Sequence, residues 1–466
     1  MCGIFGIGGH DDAANLTYLG LYSLQHRGQE SAGIATADDE GRFAVKVGMG
    51  HVADIFDGEV LRRLPGRRAI GHTRYSTAGA SALMNAQPIA VRTSMGTLAV
   101  VHNGHLTNAG ELRRELERSG SIFQTTSDTE VVLHLMARNP RRDVVESLMV
   151  ALEQVEGAFS LLLLGEEVLV AARDRHGFRP LLLGDLDGTP CFASESGAFD
   201  LLGARIVREV ELGEVIALRN GAGGTESPRR GGSRGPPPCV LEYVYFARPD
   251  SLLFGESVAE VRRRMGAQLA REQPAAADLV VPVLDSGLLA GLGFSRESGL
   301  PLEFGLIRNH YVGRTFIEPK QTIRNFGVKV KLNPVRGVIA GRRVVLVDDS
   351  IVRGTTSRKI VQMVREAGAR EVHLRISSPP TRWPCYYGMD TPRRTDLIAA
   401  RCELEEIRQF IGADSLGYLS LEGLLGVVDS PAESFCTACW SGDYRVAPTG
   451  GDPAQAPLFP LADDER

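Results

Sequence analysis

The segment Asn220–Pro238 (NGAGGTESPRRGGSRGPPP) constrains this chain more than any other part of it. Gly, Pro and Arg fill the segment and apolar residues are almost absent. Such a run cannot bury enough surface to order itself, so it reads as a linker or long surface loop. It leaves two halves of similar size, residues 2–219 and 239–445, and a polar stretch over 446–466 that reads as a mobile tail. In a chain of 466 residues, each half is long enough to close its own core.

Hydrophobic residues make up 43% and charged residues 23% of the chain, as in ordinary globular proteins. A net charge of −5 gives no basic excess pointing to nucleic acid, and 6% aromatics are too few for base-stacking platforms. The longest apolar stretches, such as Phe159–Gly165 and Arg342–Val347, fall far short of the ~20 residues that span a bilayer. No charged N-terminal region leads into an apolar core, so a cytoplasmic protein without membrane contact is expected. Seven cysteines in so long a chain do not make a disulfide scaffold; burial, catalysis and metal binding are left for them.

The halves differ in pattern. In the first, Ile4–Gly8, Ser31–Thr36, Phe43–Gly48, Ala69–Thr73, Leu98–His102, Phe159–Leu164 and Glu167–Arg173 read as strands, the last two joined by a turn at Gly165–Glu166. Helices are expected over Ala109–Ser119, Thr129–Ala137 and Asp143–Val155. This mixture predicts a layered α+β domain with largely antiparallel sheets. In the second half, strand Leu279–Val283 precedes helix Gly287–Phe294. Strand Arg343–Val347 then leads through a Gly-bearing loop to a helix ending at Ala367, before strand Val372–Ile376. Ile360, Met363, Val364 and Ala367 share one helix face and Gly368 stops the helix. That alternation predicts an α/β domain with a parallel sheet.

Chemistry gathers first at the N-terminus. Removal of Met1 would give Cys2 a free α-amine, whose ordinary pKa near ~8 lets it serve as base to its own thiol. Position alone favours a buried thiol, but polar clusters elsewhere supply what acyl transfer from an amide needs. Asn103-Gly104 offers an amide and a backbone N–H for an oxyanion, with a plain turn as the bland alternative. Arg74, in His72-Thr-Arg-Tyr-Ser-Thr, offers a planar fork for a carboxylate. Asp128, in Ser127-Asp-Thr-Glu, offers an anion for an amine, or a helix cap, or both. His72, His102 and His105 read as core or polar-network residues.

Taken in order, Cys2-Gly-Ile-Phe-Gly, His72-Thr-Arg-Tyr-Ser-Thr, His102-Asn-Gly and Ser127-Asp-Thr-Glu resemble the glutaminase domain of class II glutamine amidotransferases. The resemblance implies an N-terminal-nucleophile αββα fold. It implies Cys2 as the nucleophile that releases ammonia from glutamine through a thioester, and Asn103 and Gly104 as the oxyanion hole. Arg74 and Asp128 would bind glutamine, with Arg27 beside them near the nucleophile.

A second cluster follows an apolar strand. Val344–Val347 runs into Asp348-Asp349-Ser350 and then Arg353-Gly354-Thr355-Thr356 at a helix start, where backbone N–H groups favour a phosphate. Two adjacent acids would repel a bare phosphate and instead suit sugar hydroxyls or a Mg²⁺ carried by the substrate. No Gly-x-x-x-x-Gly-Lys run is present, which excludes a P-loop. The stretch resembles the 5-phosphoribosyl 1-diphosphate (PRPP) signature of type I phosphoribosyltransferases. Arg308–Lys331 and Glu242–Ser251 resemble the amidophosphoribosyltransferase family within them. The family implies PRPP + glutamine + water → 5-phosphoribosylamine + pyrophosphate + glutamate, the first committed step of purine synthesis. It implies Ser286, Asp348 and Asp349 around one Mg²⁺, and Ser350 with Arg353, Gly354, Thr355 and Thr356 around the 5-phosphate. Arg308 and Lys329, with Arg314, Lys320, Arg324 and Lys331, would lie in a basic loop closing over pyrophosphate. A homotetramer inhibited by purine nucleotides is also implied.

Cys436-Thr-Ala-Cys439 has the spacing of a metal half-site, and Cys239 and Cys385 are distant singles. Spacing alone leaves zinc and an iron–sulfur cluster open; a redox pair would open a helix after a strand in a thioredoxin-like unit, and the sequence shows no such unit. Resemblance to one branch of the family implies a structural [4Fe–4S] cluster on these four cysteines; Cys191 and Cys402 default to buried thiols. Two rival readings are another class II amidotransferase, which would lack Val344–Thr356, and a non-catalytic PRPP-binding regulator, against which the complete set of site residues speaks.

Overall fold

The computed structural model describes residues 1–75, 81–219, 225–226, 238–309, 331–389, 391, 393–429, 431 and 435–446. The first half is a four-layer sandwich. One antiparallel sheet runs Arg205–Glu209, Leu182–Leu186, Thr189–Ala193, Gly3–Gly8, Arg68–Arg74, Ser31–Ala37, Phe43–Met49. The other runs Thr225–Glu226, Val215–Arg219, Val168–Arg173, Gly157–Leu164, Gly96–Leu106, Ile89–Thr93. Strand Gly3–Gly8 is buried along almost its whole length because both of its faces are covered. Ile4 joins the core between the sheets. Phe5 and Ile7 face the opposite core, with Leu21 of helix Ala13–Ser23. Gly20 of that helix permits this contact, since a Cβ there would lie 2.5 Å from the Phe5 ring. Helices Ala109–Arg118, Glu130–Arg138 and Val144–Leu152 cover the second sheet, completing αββα.

The expected strands and helices of this half are present with ends shifted by a few residues. The exception is Leu98–His102, which runs on through Asn103 and Gly104 to Leu106. Asn and Gly are poor strand formers, but pairing of Asn103 with Ser160 and Gly104 with Phe159 carries the ladder past them. Within the expected linker, Thr225–Glu226 adds a short strand against Ala217 and Leu218. The rest of Asn220–Pro237 and residues 447–466 lie outside the described residues.

The second half carries a four-stranded parallel sheet in the order Leu279–Pro282, Arg343–Asp348, Glu371–Ile376, Ser415–Tyr418. Helices Val258–Glu272 and Leu288–Ser298 pack at near-backbone distance, for a Cβ on Gly266 would lie 1.8 Å from the Ala290 carbonyl oxygen. Helices Thr355–Glu366 and Leu404–Ile411 cover the other face. The halves are not separate cores. Phe5, Leu21 and Phe199 share one apolar cluster with Tyr243, Met265, Phe294 and Val347. Among the described residues, no helix is long and apolar enough to cross a membrane.

Candidate active site

Cys2 lies at the edge of the central strand and is buried, as is Met1 before it. Its backbone N–H donates to Asn103 Oδ1 at 3.2 Å, and its thiol donates to the Tyr75 carbonyl at 3.6 Å. The Asn103 amide is fully buried, yet among the described residues its Nδ2 has no hydrogen-bond partner. A buried orphan donor beside a thiol is the arrangement an oxyanion hole requires. Burial lowers the Met1 amine to about 5, with Arg179 and Arg27 adding to the effect while Cys2 and Glu242 oppose it.

Arg74 ends strand Arg68–Arg74, one residue beyond the Gly3–Thr73 pair, which sets it next to Cys2. Asp128 accepts from the Leu106 N–H at 2.9 Å, three residues along the strand from Asn103. It does not cap its own helix, whose N-cap is Thr129 without a side-chain bond. Burial would push the Asp128 carboxyl up, but His102, His105 and the Leu106 N–H hold it well below the ordinary range. His102 and His105 thus flank an anion, beyond the plain network role expected for them. His72 is held neutral, its pKa lowered to about 3 mainly by burial.

Arg27 is almost wholly buried. Its Nε donates to the Cys2 carbonyl at 2.9 Å, and its Nη atoms pair with Glu242 at 3.0 and 2.9 Å and with Glu195. These contacts tie Arg27 to the backbone of Cys2. The motifs did not reveal Glu195, Glu242 or Arg179, which bonds Glu242 from the other side at 3.3 Å. Glu242 opens the stretch Glu242–Ser251; that position was the only signal available.

In the parallel sheet, Asp348 and Asp349 close strand Arg343–Asp348 and are both buried. Ser286 donates to Asp348 at 3.4 Å, and Ser350 donates to Asp349. Both carboxyls are pushed above the ordinary range, chiefly by burial and, for Asp348, also by its neighbour's charge. Such a pair invites a cation. Two carboxylates and a hydroxyl would leave several positions of an octahedral Mg²⁺ shell to water or substrate oxygens. Gly354, at φ +76°, turns the chain into helix Thr355–Glu366, whose first N–H groups have no side-chain cap. Arg353, Thr355 and Thr356 are exposed at that end. Arg308 pairs with Asp285, next to Ser286. Lys329 and the basic residues Arg314, Lys320 and Arg324 lie outside the described residues.

Cys239, Cys385, Cys436 and Cys439 converge. Cys239 and Cys436 form an isolated bridge, and the Cys436 N–H donates to the Pro238 carbonyl at 3.0 Å. Burial pushes the Cys239 thiol up to about 11, with Arg179 opposing and Cys385 adding to the rise, and burial and then the other cysteines push up Cys436 and Cys439. Every pair among the four contributes to these shifts. Among the described residues, no three His, Cys, Asp or Glu side chains are grouped to hold a single metal ion.

Residues 72–200 match a family model for a glutamine amidotransferase domain. Amidophosphoribosyltransferase 1, chloroplastic, of Arabidopsis thaliana is 51% identical over 96% of this chain and 79% of its own. The amidophosphoribosyltransferase of Bacillus subtilis is 47% identical over 95% of this chain and 94% of its own. A solved structure of glutamine PRPP amidotransferase from B. subtilis, complexed with ADP and GMP, superposes with a TM-score of 0.91 at 46% identity, covering 97% of this chain and 98% of that one. Fold and site define a glutaminase of the N-terminal-nucleophile type joined to a phosphoribosyltransferase. The chain belongs to the amidophosphoribosyltransferase family. It is a pentosyltransferase of purine biosynthesis.

Proposed function

We propose that the Cys2 thiolate attacks the side-chain amide carbon of glutamine, its own α-amine taking the thiol proton and passing it to the departing ammonia. Asn103 Nδ2 and the Gly104 N–H receive the oxyanion. Arg74 holds the glutamine carboxylate and Asp128 its ammonium. Arg27 fixes the Cys2 carbonyl. Water then releases glutamate from the thioester, and ammonia displaces pyrophosphate from C1 of PRPP to give 5-phosphoribosylamine. Ser350 and the Arg353–Thr356 turn hold the 5-phosphate, with Arg308 and Lys329 toward the pyrophosphate. Ser286, Asp348 and Asp349 would hold Mg²⁺ with the substrate, where it neutralises the leaving group.

The observation that carries this reading is that Glu242, which supports Arg27 under Cys2, comes from the half that holds Asp348 and Asp349. A [4Fe–4S] cluster on Cys239, Cys385, Cys436 and Cys439 would be structural. The support is the convergence of four buried or half-buried thiols, with Cys239 bridged to Cys436. Purine nucleotides as inhibitors, a homotetramer and a cytoplasmic location complete the proposal.

The test is pyrophosphate release from PRPP by anaerobically purified protein, with glutamine or with excess ammonia. Cys2→Ala is expected to lose only the glutamine-dependent rate. Wild-type protein that releases pyrophosphate with neither nitrogen source would overturn the phosphoribosyl assignment.

A further inference from the structure

The oxyanion strand has a support that no part of the proposed chemistry uses. Gly388, from the loop after Cys385, lies against Gly104: a Cβ on Gly388 would fall 2.7 Å from the Gly104 carbonyl carbon and 2.8 Å from its Cα. Gly388 has φ +99°, so it alone satisfies both the backbone conformation and the space. Beneath it, the Tyr387 carbonyl accepts two bonds from Arg179, from Nε at 2.8 Å and from Nη2 at 2.7 Å. Tyr387 is also stacked on Phe178, ring centroids 4.1 Å apart.

Arg179 is itself held from the oxyanion side. Its carbonyl accepts from Ser160 Oγ at 3.1 Å, and Ser160 is the cross-strand partner of Asn103. Its guanidinium is fully buried and also bonds Glu242, the partner of Arg27. One side chain from the first half thus ties a second-half loop to the back of Asn103 and Gly104.

We propose that Arg179 is a positioning residue for the oxyanion hole: by holding the Tyr387 carbonyl it presses Gly388 onto Gly104 and fixes the Asn103–Gly104 backbone. This rests on Asn103 and Gly104 forming that hole. A flat fork making two bonds to one carbonyl suits arginine, and lysine would keep the charge while losing the fork. Small displacements of such donors are costly to rate, not to substrate binding.

The experiment compares wild type, Arg179→Lys, Gly388→Ala and Asn103→Ala in glutamine hydrolysis with PRPP and Mg²⁺ present, and in ammonia-dependent pyrophosphate release. Arg179→Lys and Gly388→Ala are each expected to lower the glutaminase kcat by about 10- to 100-fold. The glutamine KM and the ammonia-dependent rate should stay within about threefold. The ammonia rate certifies that each variant is folded. Equal loss of both activities in Arg179→Lys would make its role general stability, and an effect on KM alone would make it a glutamine-binding role; either overturns the proposal. An unchanged kcat in Arg179→Lys overturns it as well. If Asn103→Ala also keeps full kcat, the oxyanion assignment itself fails; if only Asn103→Ala loses kcat, the assignment stands and the positioning role falls.

Discussion

Asn103 binds the backbone nitrogen of Cys2 through its amide oxygen, at 3.2 Å, and leaves its amide nitrogen buried without a partner among the described residues. The bond to Cys2 fixes which way the amide faces, and the proposed oxyanion role would use the donor left over. Removing one such donor typically costs about 100- to 1,000-fold in kcat. Asn103→Ala is therefore expected to lower glutamine hydrolysis by that order with little change in KM, while ammonia-dependent synthesis persists. A loss confined to KM would place Asn103 in ground-state binding.

Asp348 and Asp349 present the opposite case, two acids crowded in burial with their pKa values raised. Their charge opposes the ligand-free fold. Asp348→Asn is expected to abolish pyrophosphate release with both nitrogen sources and yet to stabilise the ligand-free protein by about 1 kcal/mol. Thermal melts without PRPP and Mg²⁺, paired with rate assays, check this. A destabilised variant would mean the pair is already compensated.

Glu195 accepts from His26 at 2.8 Å, the Arg248 N–H at 2.9 Å and Ser251 at 2.8 Å, and pairs with Arg27. Burial alone would raise its carboxyl, but His26 and Arg27 hold it far below its ordinary value of 4.5. A depressed carboxylate contributes stability that is complete above 4.5 and is lost as pH falls toward its folded value. Glu195→Gln is expected to cost about 3–5 kcal/mol at pH 7, with the gap to wild type narrowing in acid. Parallel melting curves would sink the idea.

The four converging cysteines give a prediction about metal. Anaerobically purified protein is expected to contain iron and acid-labile sulfide, and Cys436→Ser to lose both together with thermal stability. Zinc in place of iron, or no metal, would overturn the cluster.

The alternating second half announced its parallel sheet, and Cys2, Asn103, Arg74, Asp128 and the Asp348–Thr356 run drew notice because each sits in a short run of chemically matched neighbours. What remained hidden depends on distance along the chain. Glu242 meets Arg27 across 215 residues, and no spacing rule reaches that far. The strand through Gly104 was hidden for a related reason, since its partner, Gly157–Leu164, overrides a local preference that says stop. The composition break at Asn220 marks two halves of similar size, and Phe5 of the first shares one apolar cluster with Val347 of the second. The boundary was visible but the joint was not.

The Arg27–Glu242 pair also bears on how the protein is made. Synthesis runs from the N-terminus at about 5–20 residues per second, so Glu242, 215 residues later, follows Arg27 by on the order of ten to forty seconds. During that interval the nascent first half carries an arginine with half of its counter-charge missing, directly beneath the thiol. The buried ion pair that bonds the Cys2 carbonyl is therefore complete only once the chain has entered its second half.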